Sequence, residues 1–215
     1  MSTKPACLYR AFTEREHAVQ FSNGIIRLGL LSSYKETEDA QRQDESEGES
    51  STYLKRDLPV VTISKHTMEI IATGSSPGLL HFRGTNINPK YLLCTSGPGV
   101  DLNLLRNKFG NHVVKINSPI RLLNDINRVS PISSKMEFIG KCTLDEVCYS
   151  KDQIQDLDPD STEAVRLSYL QKHPKFSVEC EYRYIVMAKP CVKGEKPENH
   201  VLFNINRKLD YLELI

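Results

Sequence analysis

Residues 176–187 read Phe-Ser-Val-Glu-Cys-Glu-Tyr-Arg-Tyr-Ile-Val-Met, and this stretch decides how the chain is interpreted. The alternation of apolar and polar side chains is typical of a β-strand, whose successive residues point to opposite faces. One face is then apolar, and the other carries Glu179, Glu181 and Arg183. Two carboxylates on one face raise each other's pKa unless a cation or a ligand hydroxyl compensates them. The stretch therefore predicts either a functional pair of carboxylates or a solvated strand face with a Glu181–Arg183 pair.

The composition restricts the class of protein without selecting a function. The 215 residues carry a formal net charge of +1, so no overall electric field favours nucleic acid or a membrane. No apolar run approaches the length of a membrane span, and no signal-peptide pattern follows Met1, so we expect a cytoplasmic protein with no membrane partner. The six cysteines lack the spacing of a zinc site, so we expect reduced structural thiols and no metal.

The first part of the chain predicts a strand, a helix and a second strand. Residues 7–12 have strand character, and Thr13 and Glu16 have the spacing of a capping box at the start of the helix. Asn23 and Gly24 together are a signal for the helix end, after which the second strand follows.

The middle of the chain has more strand signals. The acidic stretch 34–49 predicts a solvated loop or a lid over a site. Residues 59–64 and 67–73 are predicted strands, and the Gly-Ser-Ser-Pro-Gly sequence at 74–78 predicts a break after them. Residues 90–96 are a buried strand in this interpretation.

Helix signals recur in the second half. Asp101 is a predicted N-cap of a helix that ends at Phe109, before Gly110. Residues 120–129 are a predicted helix, and another is expected to begin near residue 160 and end near His173.

Strands and helices are thus mixed rather than alternating regularly, which favours an α+β architecture with a largely antiparallel sheet. No internal repeat or low-complexity linker divides the chain. We therefore expect a single domain over residues 1–215.

Three short motifs occur in an order that matches a known family. Tyr9-Arg10 lies on the first predicted strand, Thr95-Ser96 ends a middle strand, and Glu179-x-Glu181 lies on a late strand. In this order they resemble the arginine–serine–glutamate branch of the ADP-ribosyltransferase superfamily, and the chain is also similar to a poorly characterised bacterial family. The resemblance implies a split, largely antiparallel sheet with flanking helices that binds NAD.

The resemblance also implies catalytic roles for the two glutamates. Breaking the bond between ribose and nicotinamide develops positive charge on the sugar, as glycoside cleavage does. A carboxylate that accepts the ribose 2′-hydroxyl stabilises that charge, and this is the role implied for Glu181. Glu179 would position or deprotonate the acceptor.

Five further residues would bind NAD if the resemblance holds. Arg10 would hold the phosphates or ribose through the paired donors of its guanidinium, and Ser96 would brace Glu181 or the ribose. The full set is Tyr9, Arg10, Thr95, Ser96 and Tyr34, with Tyr91 as the alternative to Tyr34 for stacking on nicotinamide.

The implied function is an NAD-dependent ADP-ribosyltransferase that modifies protein or RNA, such as a bacterial toxin or an anti-phage effector with an inhibitory, antitoxin-like partner. Basic pairs at Arg106/Lys108 and Arg121/Arg128 would permit RNA contact. Two alternatives remain open: a catalytically inactive binding module of the same fold, and an NAD glycohydrolase with water as acceptor.

Overall fold

A computed structural model describes residues 4–33, 49–63, 70–85, 88–132, 135–149, 169–191 and 195–215. The α-helices are α1 (Arg15–Ser22), α2 (Leu102–Phe109) and α3 (Pro119–Ile126), and Pro174–Glu179 is a 3-10 helix. The strands are β1 (Leu8–Phe12), β2 (Ile25–Leu30), β3 (Glu49–Ile63), β4 (Ile70–Thr85), β5 (Lys90–Ser96), β6 (His112–Ile116), β7 (Pro131–Ile132), β8 (Phe138–Glu146), β9 (Cys148–Tyr149), β10 (Gln171–Lys172), β11 (Glu181–Ala188), β12 (His200–Asn204) and β13 (Leu212–Leu214).

The large sheet is antiparallel and divides around β5. Along one edge, β5 pairs with β2 at Tyr91 and Leu92 and with β1 at Ser96. Beyond these partners the sheet continues through β6 and β13 on one side and through β12 and β7 on the other. The opposite edge of β5 pairs with β11 along its length, and β11 pairs in turn with β8. The predicted α+β class with a largely antiparallel sheet is confirmed.

Apolar side chains on the two faces of this sheet pack against different helices. On β1, Leu8 and Phe12 join the main core, which includes the buried side chains of α1 and α3. Tyr9 and Ala11 alternate with them and pack towards Leu105 of α2. Because consecutive strand residues point in opposite directions, α1 and α2 lie on opposite faces of β1.

Two local signals in the sequence are confirmed. The Asp101 carboxylate accepts hydrogen bonds from the backbone N–H groups of Asn103 (2.8 Å) and Leu104 (3.4 Å), as an N-cap does. The helix α2 ends at Phe109, and Gly110 follows with a φ of 125°, which L side chains rarely adopt.

Three other expectations are wrong, and a fourth lies outside the described residues. Helix α1 begins at Arg15 without a side-chain cap bond, so Thr13 does not form a capping box. Helix α3 ends at Ile126, three residues earlier than expected. Strand β4 runs through residues 74–78 because its backbone pairs with β3 over the whole stretch. The expected loop or lid at 34–49 lies outside the described residues except for Glu49, which belongs to β3.

The stretch 176–187 is not one continuous strand, contrary to its alternating pattern. Only its second half is a strand, since residues 174–179 form the 3-10 helix and β11 begins at Glu181. Cys180, between them, has φ 46° and ψ 47°, which is the left-handed conformation. Pro174 favours this short helix because its fixed φ fits the first helical position. Glu179 and Glu181 therefore do not share a strand face.

None of the described helices combines the length and apolarity needed to cross a membrane.

Gly110 provides a test of the fold. An added Cβ at Gly110 would lie 2.3 Å from the carbonyl carbon and oxygen of Phe12, whereas a Cβ at Gly140 (φ 71°) would meet nothing within 4 Å. We expect Gly140→Ala to lower the free energy of unfolding by about 1–2 kcal/mol through left-handed strain alone. Gly110→Ala should cost at least about 2 kcal/mol more, because the β1 backbone must move. Urea unfolding of both variants measures the difference, and equal losses would contradict the packing of Gly110 on β1.

Candidate functional site

Three strands bring the predicted site residues to the same place. Ser96, the last residue of β5, is in register with Tyr9 of β1 on one side and with Glu181 of β11 on the other. Residues directly opposite in antiparallel strands point to the same face. Tyr9, Ser96 and Glu181 are therefore neighbours on one face, although 172 residues separate the first from the last.

Arg10 reaches this place from the other face of β1. Cys94 lies on β5 between the residues that pair with β2 and the residue that pairs with β1. The Arg10 guanidinium donates a hydrogen bond from Nη1 to the Cys94 carbonyl oxygen. Its Nε atom is buried and has no hydrogen-bond partner among the described residues. An unpaired buried donor costs free energy, so it marks a position where an acceptor would bind favourably.

Arg10 lines two cavities. The smaller, about 90 Å³, is bounded by Arg10, Tyr9, the strand end at 94–96, and both glutamates, Glu179 and Glu181. The larger, about 540 Å³, lies between β1, α1, β2 and β12 and is lined by both apolar and polar side chains. Its polar and charged residues are Arg10, His17, Gln20, Arg27, Ser33, Asn199 and His200.

Glu181 is buried and fully ion-paired. Its Oε1 accepts a hydrogen bond from Arg183 Nε at 2.7 Å, and its Oε2 accepts one from Lys172 Nζ at 3.1 Å. Arg183 is completely inaccessible and donates a second hydrogen bond from Nη1 to the Tyr169 carbonyl oxygen at 2.7 Å. The solvated strand face that the sequence left open is thus excluded at Glu181 and Arg183.

Glu179 is buried as well, rather than lying at the rim of the cleft. Its Oε2 accepts a hydrogen bond from Lys172 Nζ at 3.0 Å, and its Oε1 pairs with Lys108 Nζ of α2. One ammonium group, that of Lys172, thus bridges the two carboxylates. Their mutual repulsion is offset by this shared cation and by one further cation on each side, Lys108 and Arg183.

The lysines of this cluster surround one aromatic ring. The Nζ atoms of Lys108, Lys172 and Lys175 lie 5.2, 4.9 and 4.7 Å from the centre of the buried Phe176 ring. An ammonium group at this distance is attracted by the negative face of the ring. Phe176 therefore helps to gather three cations next to Glu179.

The electrostatics of the cluster keep Glu181 ionised. Burial alone would raise the pKa of the Glu181 carboxyl, but the charges of Arg183 and Lys172 outweigh it and lower that pKa to about 2.

The backbone N–H of Glu181 donates to the Tyr149 hydroxyl oxygen at 2.7 Å. Burial raises the pKa of Tyr149 well above its ordinary value, so this phenol stays neutral.

The other predicted binding residues differ in what their side chains do. The Thr95 hydroxyl donates to the Tyr182 carbonyl oxygen at 3.0 Å, which ties β5 to β11. Tyr34 lies outside the described residues. Tyr91, the alternative to Tyr34, is fully buried with its ring centre 6.0 Å from that of Phe138, so it belongs to the core and cannot stack on a ligand.

Sequence reasoning missed Lys172 and Tyr149, and it named Lys108 only as a basic residue beside Arg106, not as a partner of a glutamate. Lys172 comes from β10, a two-residue strand paired with β9, and Lys108 comes from the last turn of α2. No local pattern marks either residue, because each meets its carboxylate partner only through the fold. The one signal available was the need of two neighbouring carboxylates for a cation.

Comparisons of the chain with protein-family models, with curated proteins and with solved structures found no match. The function is therefore inferred from the site itself.

The left-handed backbone at Cys180 gives a first prediction for the site. This conformation costs a non-glycine residue about 1–2 kcal/mol, and a β-branched residue tolerates it worst. We expect Cys180→Val to lower the free energy of unfolding by at least about 1 kcal/mol more than Cys180→Gly does. Both changes remove the thiol, so their difference reports the backbone. Chemical denaturation measures it, and a valine variant as stable as the glycine variant would mean that the turn is not required.

The pKa of Glu181 gives a second prediction. Its folded value of about 2 lies below the ordinary 4.5, so ionisation of Glu181 stabilises the fold above pH 4.5 and this contribution is lost as the pH falls towards 2. The contribution amounts to at most about 3 kcal/mol. We expect the difference in free energy of unfolding between wild type and Glu181→Gln to shrink steadily over that window.

Glu137→Gln is the matched control, because Glu137 is an exposed carboxylate paired with Lys189 at the surface. Glu137→Gln should change the free energy of unfolding only slightly at every pH. Carbon-13 NMR titration of Glu181 in the wild-type protein tests the same point directly, should the variant not fold. A Glu181 midpoint near 4.5 would contradict the ion pairing described above.

Proposed function

We propose that this protein is an NAD-dependent ADP-ribosyltransferase with a split-sheet fold of the ADP-ribosyltransferase type. One observation carries the proposal: Tyr9, Ser96 and Glu181 are in register on three adjacent strands, and Arg10 enters the same cavity. These residues were selected from the sequence by their order alone. Their meeting around one cavity is what the proposed chemistry requires.

The donors and the space available fit NAD. A cavity of about 540 Å³ lies within the range of sites for small molecules and cofactors. Arg10 lines it and also lines the small cavity at Glu181, so a dinucleotide that passes Arg10 could place its phosphates near the guanidinium. The unpaired Arg10 Nε supplies a donor for an anionic oxygen there.

NAD, when bound, supplies a bond between ribose C1′ and the nicotinamide nitrogen. When that bond breaks, the nitrogen keeps the electron pair and nicotinamide leaves neutral; the acceptor then bonds to C1′ and gives up a proton. The residues have distinct parts in this reaction. Glu181, held ionised by its cations, stabilises the positive charge that develops on the ribose. Glu179 stands on the acceptor side and takes the acceptor's proton.

One observation favours the competing function, a binding module without catalysis. All four carboxylate oxygens of Glu179 and Glu181 are occupied by ammonium or guanidinium donors. An ionised carboxylate has about four acceptor positions. Glu181, which also accepts a hydrogen bond from the Cys94 thiol, keeps capacity for one more, such as that from a ribose hydroxyl. The glycohydrolase alternative uses the same site with water as the acceptor.

Release of nicotinamide from NAD tests the proposal. The wild-type protein, incubated with NAD labelled in the nicotinamide ring, should release label, and Glu181→Gln should reduce the rate about a hundredfold or more. Arg10→Lys keeps the positive charge but removes Nε and the guanidinium fork, and it should weaken NAD binding. Arg128→Lys is the control, because Arg128 is exposed and pairs only with Asp125 at 3.5 Å among the described residues.

Circular dichroism of each variant establishes that it is folded. Release that is lost in folded Glu181→Gln and retained in Arg128→Lys supports an enzyme. No release by wild type, or equal release by folded Glu181→Gln, would leave the binding module as the better interpretation.

A further inference from the structure

Among the described residues, the side chains next to the two glutamates carry more positive charges than negative ones. Lys108, Lys172 and Arg183 pair directly with the two carboxylates, and a fourth cation, Lys175, lies over the Phe176 ring that it shares with Lys108 and Lys172. The overall charge of the chain is only +1, so this surplus is local to the site.

This charge distribution disfavours an arginine side chain as the acceptor. A guanidinium acceptor is best held by a free carboxylate that accepts two parallel hydrogen bonds. Glu179, which stands on the acceptor side, already accepts from Lys108 and Lys172. An incoming guanidinium would have to displace an ammonium group and approach others of like charge, which is electrostatically unfavourable.

The same charges favour an anion, and one of them is open to solvent. Lys175 is exposed and makes no ion pair with the described residues, and Lys108 is partly accessible. Between Lys175 and Glu179, Ser177 and Val178 are exposed as well. The accessible side of the cluster is therefore cationic, with its carboxylates buried beneath.

Each member of the other basic pair that the sequence suggested has a carboxylate partner. Arg121 pairs with Asp210 at 2.9 Å, and Arg128 pairs with Asp125. The lysines around Phe176 (Lys108, Lys172 and Lys175) differ from the Arg121/Arg128 pair, because one of them, Lys175, has no carboxylate partner among the described residues.

We propose that the acceptor of the transfer is a nucleic acid strand, bound through its phosphates by Lys175 and Lys108, rather than an arginine side chain of a protein. The proposal rests on the proposed function. The transferred ADP-ribose then forms its new C1′ bond to a nucleophilic atom of the nucleic acid. The nucleophile loses one proton to Glu179, and neutral nicotinamide leaves.

Binding is tested first, without reference to catalysis. Fluorescence anisotropy should detect binding of a labelled 20-nucleotide single strand, as RNA and as DNA, that weakens as salt rises. Lys175→Gln should reduce the affinity roughly threefold to tenfold at low salt and lower the slope of log K against log salt by about 0.7–1. Lys175→Arg should restore both the wild-type affinity and the wild-type salt slope. Lys189→Gln removes an exposed lysine that follows the last residue of β11 and pairs with Glu137, and it should bind the strand as wild type does.

Transfer is tested with NAD labelled in the adenylate part, offered with single-stranded RNA, single-stranded DNA or poly-arginine. We expect label in one of the nucleic acids and none in poly-arginine. Label in poly-arginine, or strand binding that Lys175→Gln does not change, overturns the acceptor assignment. Nicotinamide release separates the two proposals: release with label only in poly-arginine refutes the nucleic acid acceptor, whereas no release in any mixture refutes the transferase itself.

Discussion

The site depends on one ammonium group, that of Lys172, held between two carboxylates. Bringing Glu179 and Glu181 together below the surface would, without a cation, force one of them to bind a proton. Removing three or more charges from water is expensive, and the arrangement is tolerated only when nearly every polar atom finds a partner. The partners come from separate parts of the chain: α2 supplies Lys108, β10 supplies Lys172, and β11 supplies Arg183. The cluster therefore ties these elements together, and loss of one cation leaves a buried carboxylate oxygen without the donor that it has in the folded protein.

The backbone provides the geometry that this cluster requires. In an extended strand, residues i and i+2 point the same way and lie nearly 7 Å apart. The change from a 3-10 helix to β11 at left-handed Cys180 places Glu179 and Glu181 so that both reach the same Nζ. Gly97 fits against this turn, because its N–H donates to the Cys180 carbonyl oxygen at 2.7 Å and an added Cβ would lie 2.8 Å from the Tyr182 ring. Strain at a single non-glycine residue between two buried carboxylates is typical of a functional site.

The sequence predicted those parts of the fold that short-range chemistry determines. The cap at Asp101, the end of α2 at Gly110 and the buried strand β5 each follow from a few adjacent residues. The alternation at 176–187 was misleading because a short 3-10 helix that buries Phe176 and Glu179 gives a similar pattern of polar and apolar residues. Long β4 runs through a glycine- and proline-containing stretch because pairing with β3 overrides the local preference. The convergence of Arg10, Ser96 and Glu181 could be expected only from the resemblance, and Lys172 could not be expected at all, since its role exists only after β9 and β10 have paired.

The cation surplus also suggests how the two proposals fit together physically. Every carboxylate oxygen in the cluster already accepts a hydrogen bond, so the site is stable without a substrate. An anion that approaches from the side of Lys175 and Lys108 competes with Glu179 for the Lys108 ammonium, because the phosphate offers it an equivalent charged partner. In the proposed reaction, each such exchange would free an oxygen of Glu179, the residue proposed to take the acceptor's proton. A cationic acceptor makes no such exchange, since it offers the lysines nothing to bind. The positive shell around the glutamates would then do two things: it stabilises the free protein, and it makes the carboxylate available when a phosphate-bearing acceptor arrives.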